Sequence, residues 1–191
     1  MEIDEIDTYL KEGSRVRLNI DRKQVYELGH KIYSSMNKGG KLLIMGNGGS
    51  AADAQHIAAE FIGRFFKERR ALPAIALNTN TSSLTAIAND YSYEDIFSRQ
   101  VEALAKPGDV VIGISTSGNS KNVINAIQKA NSLDCFTVSL TGRSGGKLKG
   151  MAKMAITVDS DSTPIIQEMH IAIGHIISNI VEDLVSNEKV E

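Results

Sequence analysis

The chain has 191 residues, 42% hydrophobic and 23% charged, with a formal net charge of -2. These values fit one globular domain and exclude disorder, collagen and a continuous coiled coil. The charge sign, the absence of Trp and 5% aromatic content argue against a nucleic-acid or anionic-membrane partner, and the single cysteine, Cys135, excludes an intrachain disulfide and a cysteine-based zinc site. Residues 1–38 read as helical: Ile3, Ile6, Tyr9 and Leu10 form one stripe, Val25, Leu28, Ile32 and Met36 another, and Gly39-Gly40 ends it. The run Leu42-Leu43-Ile44-Met45 reads as a buried strand, stopped by Gly46-Asn47-Gly48-Gly49-Ser50 and followed by a helix over Ala51 to Phe66. Lys67-Glu68-Arg69-Arg70 reads as its solvated end. Further strands are expected at Ala74 to Leu77, Val110 to Ile114, Phe136 to Leu140 and Ala155 to Val158, with a helix over Asn122 to Ala130. A long last helix opens at Pro164, which suits a first turn, and runs to about Ser186. The acidic start lacks an apolar h-region and no run is long enough to span a bilayer, so the expectation is a cytoplasmic protein.

Strands that are apolar on both faces and alternate with helices predict a five-stranded parallel sheet covered on both sides. Ligands of such sheets bind at the carboxyl ends of the strands, where both Gly/Ser loops fall. Gly46-Asn47-Gly48-Gly49-Ser50-Ala51 formally matches a dinucleotide fingerprint. The next strand, however, ends in Leu77-Asn78-Thr79-Asn80, without the carboxylate that would hold a ribose. No nucleotide cofactor is therefore expected. In the second loop, Ser115, Thr116, Ser117 and Ser120 place four hydroxyls between a buried strand and a helix start. Free N–H groups and hydroxyls at a helix N-terminus suit a phosphate ester, and Gly118 lets the backbone come close. A plain N-cap is the competing reading, but a cap needs one hydroxyl, not four.

His56 and Glu60 stand four residues apart on the helix that leaves the first loop, so they share a face with Asp53 and Arg64. This face reads either as chemistry or as a solvated stripe with a Glu60–Arg64 pair or an Asp53–His56 contact. The last helix carries Gln167, Glu168, His170 and His175 among many isoleucines. His175 reads either as a buried core histidine or as a site residue. Gln167 and His175 are separated by about 12 Å of rise and about 80° of rotation, which does not decide whether they serve one ligand. A phosphate loop with a carboxylate, histidines and a glutamine points to proton transfer on a sugar phosphate. Such a reaction needs a base at carbon, which suits Glu60, and an acid at oxygen, which suits His175. A zinc ion on imidazoles, a carboxylate and an amide oxygen could polarise the oxygens.

Gly46-Asn47-Gly48-Gly49-Ser50, Ile114-Ser115-Thr116-Ser117-Gly118-Asn119-Ser120 and Ile166-Gln167-Glu168-Met169-His170 together resemble the sugar isomerase (SIS) domain, and most closely the phosphoheptose isomerases. The resemblance extends to Asn89-Asp90 and Ile96-Phe97-Ser98-Arg99-Gln100 and covers nearly the whole chain. It implies a single flavodoxin-like three-layer SIS domain, with residues 1–38 as a helical segment of the same domain used for oligomerisation and 39–191 as the phosphosugar-binding part. It implies a homotetramer with sites near subunit interfaces. The implied reaction converts sedoheptulose 7-phosphate to D-glycero-D-manno-heptose 7-phosphate, the first step toward nucleotide-activated heptoses of lipopolysaccharide or capsule. By motif position, Ser50, Ser115, Thr116, Ser117 and Ser120 would bind phosphate and its surroundings. Asn47, Gly48, Gly49, Asn89, Asp90 and Gln167 would line the sugar. His56, Glu60, Gln167 and His175 would match the family's ligands for one zinc per subunit, with Glu60 and His175 also its base and acid. Where the family often has an acidic or small residue and then Arg before Ile-Gln-Glu, this chain has Pro164 and Ile165, so one substrate-contacting carboxylate is missing; Asp159 and Asp161 lie nearby.

Two other readings follow from the same fold. One is a non-catalytic tetramer that regulates replication initiation, a branch in which the positions of Glu60 and His175 are not kept as Glu and His. The other is an isomerase of a different phosphosugar, since fold does not dictate substrate.

Overall fold

The computed structural model describes residues 2–188. Met1 and residues 189–191, the outer limits of the two expected segments, lie outside the described residues. The expected helical stretch at the N-terminus is two helices, α1 (Ile3–Leu18) and α2 (Arg22–Asn37). The break has a local cause: the Asp21 carboxylate accepts from the N–H groups of Lys23 and Gln24, both at 3.0 Å, and so starts a new helix.

Five strands follow in the expected places: β1 (Leu42–Gly46), β2 (Ala74–Ala76), β3 (Val110–Ser115), β4 (Phe136–Gly142) and β5 (Met154–Val158). All neighbours are parallel and the order is β2-β1-β3-β4-β5, the flavodoxin-like doubly wound arrangement. Ile44 lies opposite Ile112, Ile112 opposite Val138 and Leu140 opposite Ile156. Because side chains alternate across a strand, one sheet feeds two cores. Leu42, Ile44, Val110, Ile112 and Ile114 join the core shared with α1, α2, α3 (Gly49–Ile62) and α8 (Thr163–Ser186). Leu43, Met45 and Val111 join the opposite core, where α5 (Ser98–Leu104) and α6 (Lys121–Ser132) pack. The short helix α7 (Leu148–Met151) adds Leu148 to that second core.

Two differences from expectation bear on the site. The helix after the first loop ends at Ile62 rather than Phe66, because the backbone of residues 65–67 leaves the helix to bond a carboxylate of α8. Residues 81–104, which carry no clear periodicity, form α4 (Thr81–Asp90), a 3-10 turn over Tyr93–Asp95, and α5. Asn80 caps α4 by accepting from the Ser83 N–H at 3.0 Å. Among the described residues no helix is long and apolar enough to cross a membrane.

Candidate functional site

The two Gly/Ser loops lie side by side at the carboxyl ends of β1 and β3, each opening a helix. Gly48, at φ 57°, is the N-cap of α3, and neither it nor Gly49 has a side chain to cover the first N–H groups. A Cβ on Gly49 would stand 2.4 Å from the Gln167 amide nitrogen, so the start of α8 is packed directly on this loop. Ser50 is buried. The Asn47 amide donates to Asn122 Oδ1 at 2.9 Å, and its oxygen accepts from Asn122 Nδ2 at 2.9 Å and from the Tyr93 hydroxyl at 3.0 Å. Asn47 therefore ties the first loop to the helix that leaves the second. Ser120 is the N-cap of α6, yet its side chain makes no capping bond. Its hydroxyl instead meets that of Ser115 at 2.9 Å, which sets aside the plain-cap reading. Ser117 is exposed and accepts from the Asn119 N–H at 3.2 Å; Thr116 is half-buried and accepts through its carbonyl from the Gly142 N–H at 3.0 Å. The loop is pinned from behind, since a Cβ on Gly118, at φ +66°, would stand 2.0 Å from the Gly145 carbonyl oxygen. Two helix N-termini and the hydroxyls between them form an arrangement that suits an anion, although in α3 the Ser50 and Ala51 N–H groups already bond the Asn47 and Gly48 carbonyls, both at 3.0 Å. Asn89 and Asp90 stand apart: they are exposed at the end of α4, bonded to each other at 2.9 Å and to no residue of the two loops among the described hydrogen bonds.

Farther along α3 the chemistry changes from backbone to side chains. Helices α3 and α8 run together, with Gly49 beside Gln167 and Gly174 beside Ile57; a Cβ on Gly174 would come within 2.5 Å of Ile57. That contact brings residue 175 over residue 56. His56 Nε2 lies 2.9 Å from His175 Nε2 and 3.1 Å from Glu60 Oε1. One ligand atom from each of His56, Glu60 and His175 falls within 4.8 Å of the others. Two imidazoles and a carboxylate turned toward one point are a donor set that suits a divalent metal ion. Gln167 sits two turns earlier, at the loop. His175 is thus half-buried and turned toward His56 rather than packed in the core. His170 is the core histidine: it is fully buried, its Nε2 is 3.2 Å from the Thr141 carbonyl, and burial pushes its pKa down to about 4.

A family profile for the SIS domain matches residues 8–142. The chain is a SIS domain of the phosphoheptose isomerase family. It is 50% identical over 186 residues to the phosphoheptose isomerase of Aquifex aeolicus, a match covering 96% of this chain and 97% of that protein. The solved structure of the phosphoheptose isomerase from Neisseria gonorrhoeae is 40% identical and superposes with a TM-score of 0.88, covering 94% of this chain and 98% of that one. That of a phosphoheptose isomerase from Francisella tularensis is 34% identical with a TM-score of 0.91, covering 96% and 100%.

This SIS domain also uses residues whose roles the sequence hides. Neither pairing offered for the charged face of α3 occurs. Arg64 lies beyond the helix, 4.0 Å from Glu68, and His56 contacts Glu60 and His175 rather than Asp53. Asp53 is half-buried with one carboxylate oxygen unpartnered, and burial raises its pKa to about 6 against a smaller opposing effect of His56. The charged run at 67–70 is not a solvated helix end, because the Arg69 side chain is only 2% exposed and lies 3.5 Å from the fully buried Glu182. Burial pushes the Glu182 carboxyl up, but the N–H groups of Phe66, Phe65 and Lys67 and the Arg69 charge outweigh it and hold it below the usual range. Phe65 leaves the core face expected of it and sets its ring 5.6 Å from that of His175. Glu182 had no local signal, being one of three acids of α8 and next to Asp183; its partners lie 113 to 117 residues away.

Proposed function

We propose that this protein interconverts sedoheptulose 7-phosphate and D-glycero-D-manno-heptose 7-phosphate. The observation that carries the reading is the meeting of Glu60 and His175, from two helices, within one cluster whose facing atoms lie within 4.8 Å. The same two helices lead back to the hydroxyl-lined cradle. A sugar phosphate anchored there by Ser50, Ser115, Thr116, Ser117 and Ser120 extends along α3, past Asn47, Gly48, Gly49 and Gln167, toward the cluster. Binding of the phosphate holds the reacting carbons near the acid and the base, which converts remote binding energy into orientation. Glu60 takes the proton from C1 of the ketose while His175 gives one to the C2 oxygen, leaving an enediol. Return of a proton to C2 from the Glu60 carboxyl, with loss of the C1 hydroxyl proton to His175, completes the aldose. Glu60 Oε1 faces His56, which leaves Oε2 for the proton.

The finer parts of the proposal are one zinc ion per subunit, a homotetramer, a cytoplasmic location and a product destined for nucleotide-activated heptose of lipopolysaccharide or capsule. His56, Glu60 and His175, with Gln167 from two turns earlier as fourth ligand, would hold the ion; since Glu60 cannot hold it tightly and take a proton at the same instant, either the ion would shift during turnover or one role would be secondary. Bound there, zinc would polarise the substrate oxygens. The tetramer, with residues 1–38 as its oligomerisation segment within the single domain, is supported by exposed apolar side chains: Ile3, Ile6, Leu10 and Leu18 of α1 and Ile176 of α8. An apolar groove of about 490 Å³ between α2 and α8 reaches His175, so a second copy seated on it would close the site. The replication-regulator reading is not carried forward, because Glu60 and His175 are both present and placed together.

Proton and phosphorus NMR of the purified protein with sedoheptulose 7-phosphate in D2O, with and without zinc, tests the reading. Appearance of the manno-heptose phosphate, with solvent deuterium at its C2, is the expected result. An inert ketose beside turnover of fructose 6-phosphate would replace the substrate, and no turnover of either would overturn the activity.

A further inference from the structure

Two buried charges stand next to the reacting cluster and have no part in the proton transfers. Arg69 lies on the segment that follows α3, and Glu182 lies on α8, seven residues beyond His175. Arg69 Nη2 donates to the Glu60 carbonyl at 2.7 Å, and Nη1 donates to the carbonyls of Phe61 at 2.8 Å, Gly63 at 2.9 Å and Arg70 at 3.0 Å. Three of these carbonyls close the end of α3 and the fourth belongs to the following segment, and one planar fork gathers them; the Phe61 carbonyl also accepts from the Leu72 N–H at 3.1 Å. Glu182 Oε1 accepts from the Phe65 N–H at 2.8 Å, and Oε2 accepts from the Phe66 and Lys67 N–H groups at 2.6 and 2.8 Å. One carboxylate on the helix of His175 therefore fastens the segment that closes the helix of Glu60. The same bonds hold the Phe65 ring beside that of His175, with centroids 5.6 Å apart and planes tilted by 32°.

A buried ion pair is a poor device for stability alone, since well-packed apolar groups often do as well or better. What this pair supplies is geometry. We propose that Arg69 and Glu182 are positioning residues for the isomerisation: acting through the backbone, they set Glu60 against His175 and seat Phe65 beside the His175 ring, without touching substrate. The proposal rests on the isomerase reading. It divides α3 functionally: the pair governs the C-terminal turn, while the phosphate cradle at the N-terminal end is untouched.

Glu182→Gln replaces one acceptor oxygen with an amide nitrogen that meets a backbone N–H, and Arg69→Lys cannot reach four carbonyls. Each is expected to lower kcat by about 30- to 100-fold per folded molecule, the scale of a small misplacement of reacting groups. KM for sedoheptulose 7-phosphate is expected to change less than about threefold, because uniform phosphate binding is kept. The His175 ring-proton resonances, assigned by their loss in His175→Gln, are expected to shift in both variants as Phe65 moves. Phe65→Leu, at a half-exposed site, keeps the ion pair and folds, and is expected to lower kcat about tenfold at unchanged KM. Folded Glu182→Gln and Arg69→Lys proteins with wild-type kcat and unmoved His175 resonances would overturn the proposal. If neither folds, wild-type kcat in Phe65→Leu would overturn it. A wild-type protein inert on the substrate would instead overturn the activity reading, and the His175 resonances would still report whether the pair places Phe65.

Discussion

The two ends of α3 solve different problems with different materials. At its start the chain presents backbone and hydroxyls: Gly48 and Gly49 bare the helix start beside Ser115, Ser117 and Ser120. At its end it presents ionisable side chains, His56 and Glu60, completed by His175 from α8 and braced by Arg69 and Glu182. The contrast follows from what each end must do. A phosphate carries its own charge and needs only donors in fixed places, which a helix N-terminus supplies at no desolvation penalty to the protein. Proton transfer needs groups that change protonation state, and such groups must be aimed. The largest expected effect breaks the chemical end alone. Glu60→Gln removes the proposed base while keeping size and hydrogen-bonding capacity, and kcat is expected to fall about a thousandfold, within the range for general base removal. KM is expected to stay within a fewfold. A steady-state assay checks both, and near-wild-type kcat would remove the base from Glu60.

The binding end is broken instead by a single methyl group. Gly118→Ala would place Cβ 2.0 Å from the Gly145 carbonyl oxygen, in a residue already at φ +66°. Both partners are backbone, so neither can swing aside, and the expected loss of stability is about 3 kcal/mol or more. Urea unfolding measures it. A variant as stable as wild type would mean that the second loop is not pinned by residues 145 and 146.

The same contrast explains what could be read from the sequence. The binding end is written in consecutive residues, 46–50 and 115–120, and each follows an uninterrupted apolar strand, so loop, strand and parallel sheet were legible together. The chemical end is written across 119 residues, from His56 to His175. Helical spacing paired His56 with Glu60, but nothing local distinguished His175 from His170, five residues earlier in an apolar helix. The partner decides: His170 points at the β4 carbonyl of Thr141, and His175 at His56. Arg69 read as solvated because its neighbours are charged, although its own side chain turns inward to carbonyls. Residues 81–104 were not legible as helices because Ser, Thr and Asn there favour local side-chain bonds as readily as a helix.

The two histidines of α8 sharpen the comparison through pH. Burial holds His170 near pKa 4 in the folded protein, against about 6.5 when unfolded, so between these values the unfolded chain binds a proton that the folded one does not. Stability is then fully present above about pH 6.5 and falls as pH drops toward 4, by up to about 3 kcal/mol. Asp53 works in the opposite sense, because its raised pKa favours the folded state at low pH. His170→Gln, which keeps a donor for the Thr141 carbonyl, is expected to flatten the acid limb relative to wild type. Equal slopes in urea titrations from pH 7 to 4 would mean that His170 is not the buried proton acceptor.

The smallest effect tests whether the cradle binds ground state and transition state alike. Ser120 spends its hydroxyl on Ser115 rather than on capping α6, so its loss should not unwind the helix. In Ser120→Ala the proposed hydrogen bond to the charged phosphate is lost, worth about 1.5 kcal/mol, which corresponds to a KM rise of about tenfold. The phosphate does not change charge or place during proton transfer at C1 and C2, so the lost bond weakens both states equally and kcat is expected to move less than twofold. A fall in kcat at constant KM would mean that Ser120 acts on the reacting carbons, and the division between the two ends of α3 would then fail.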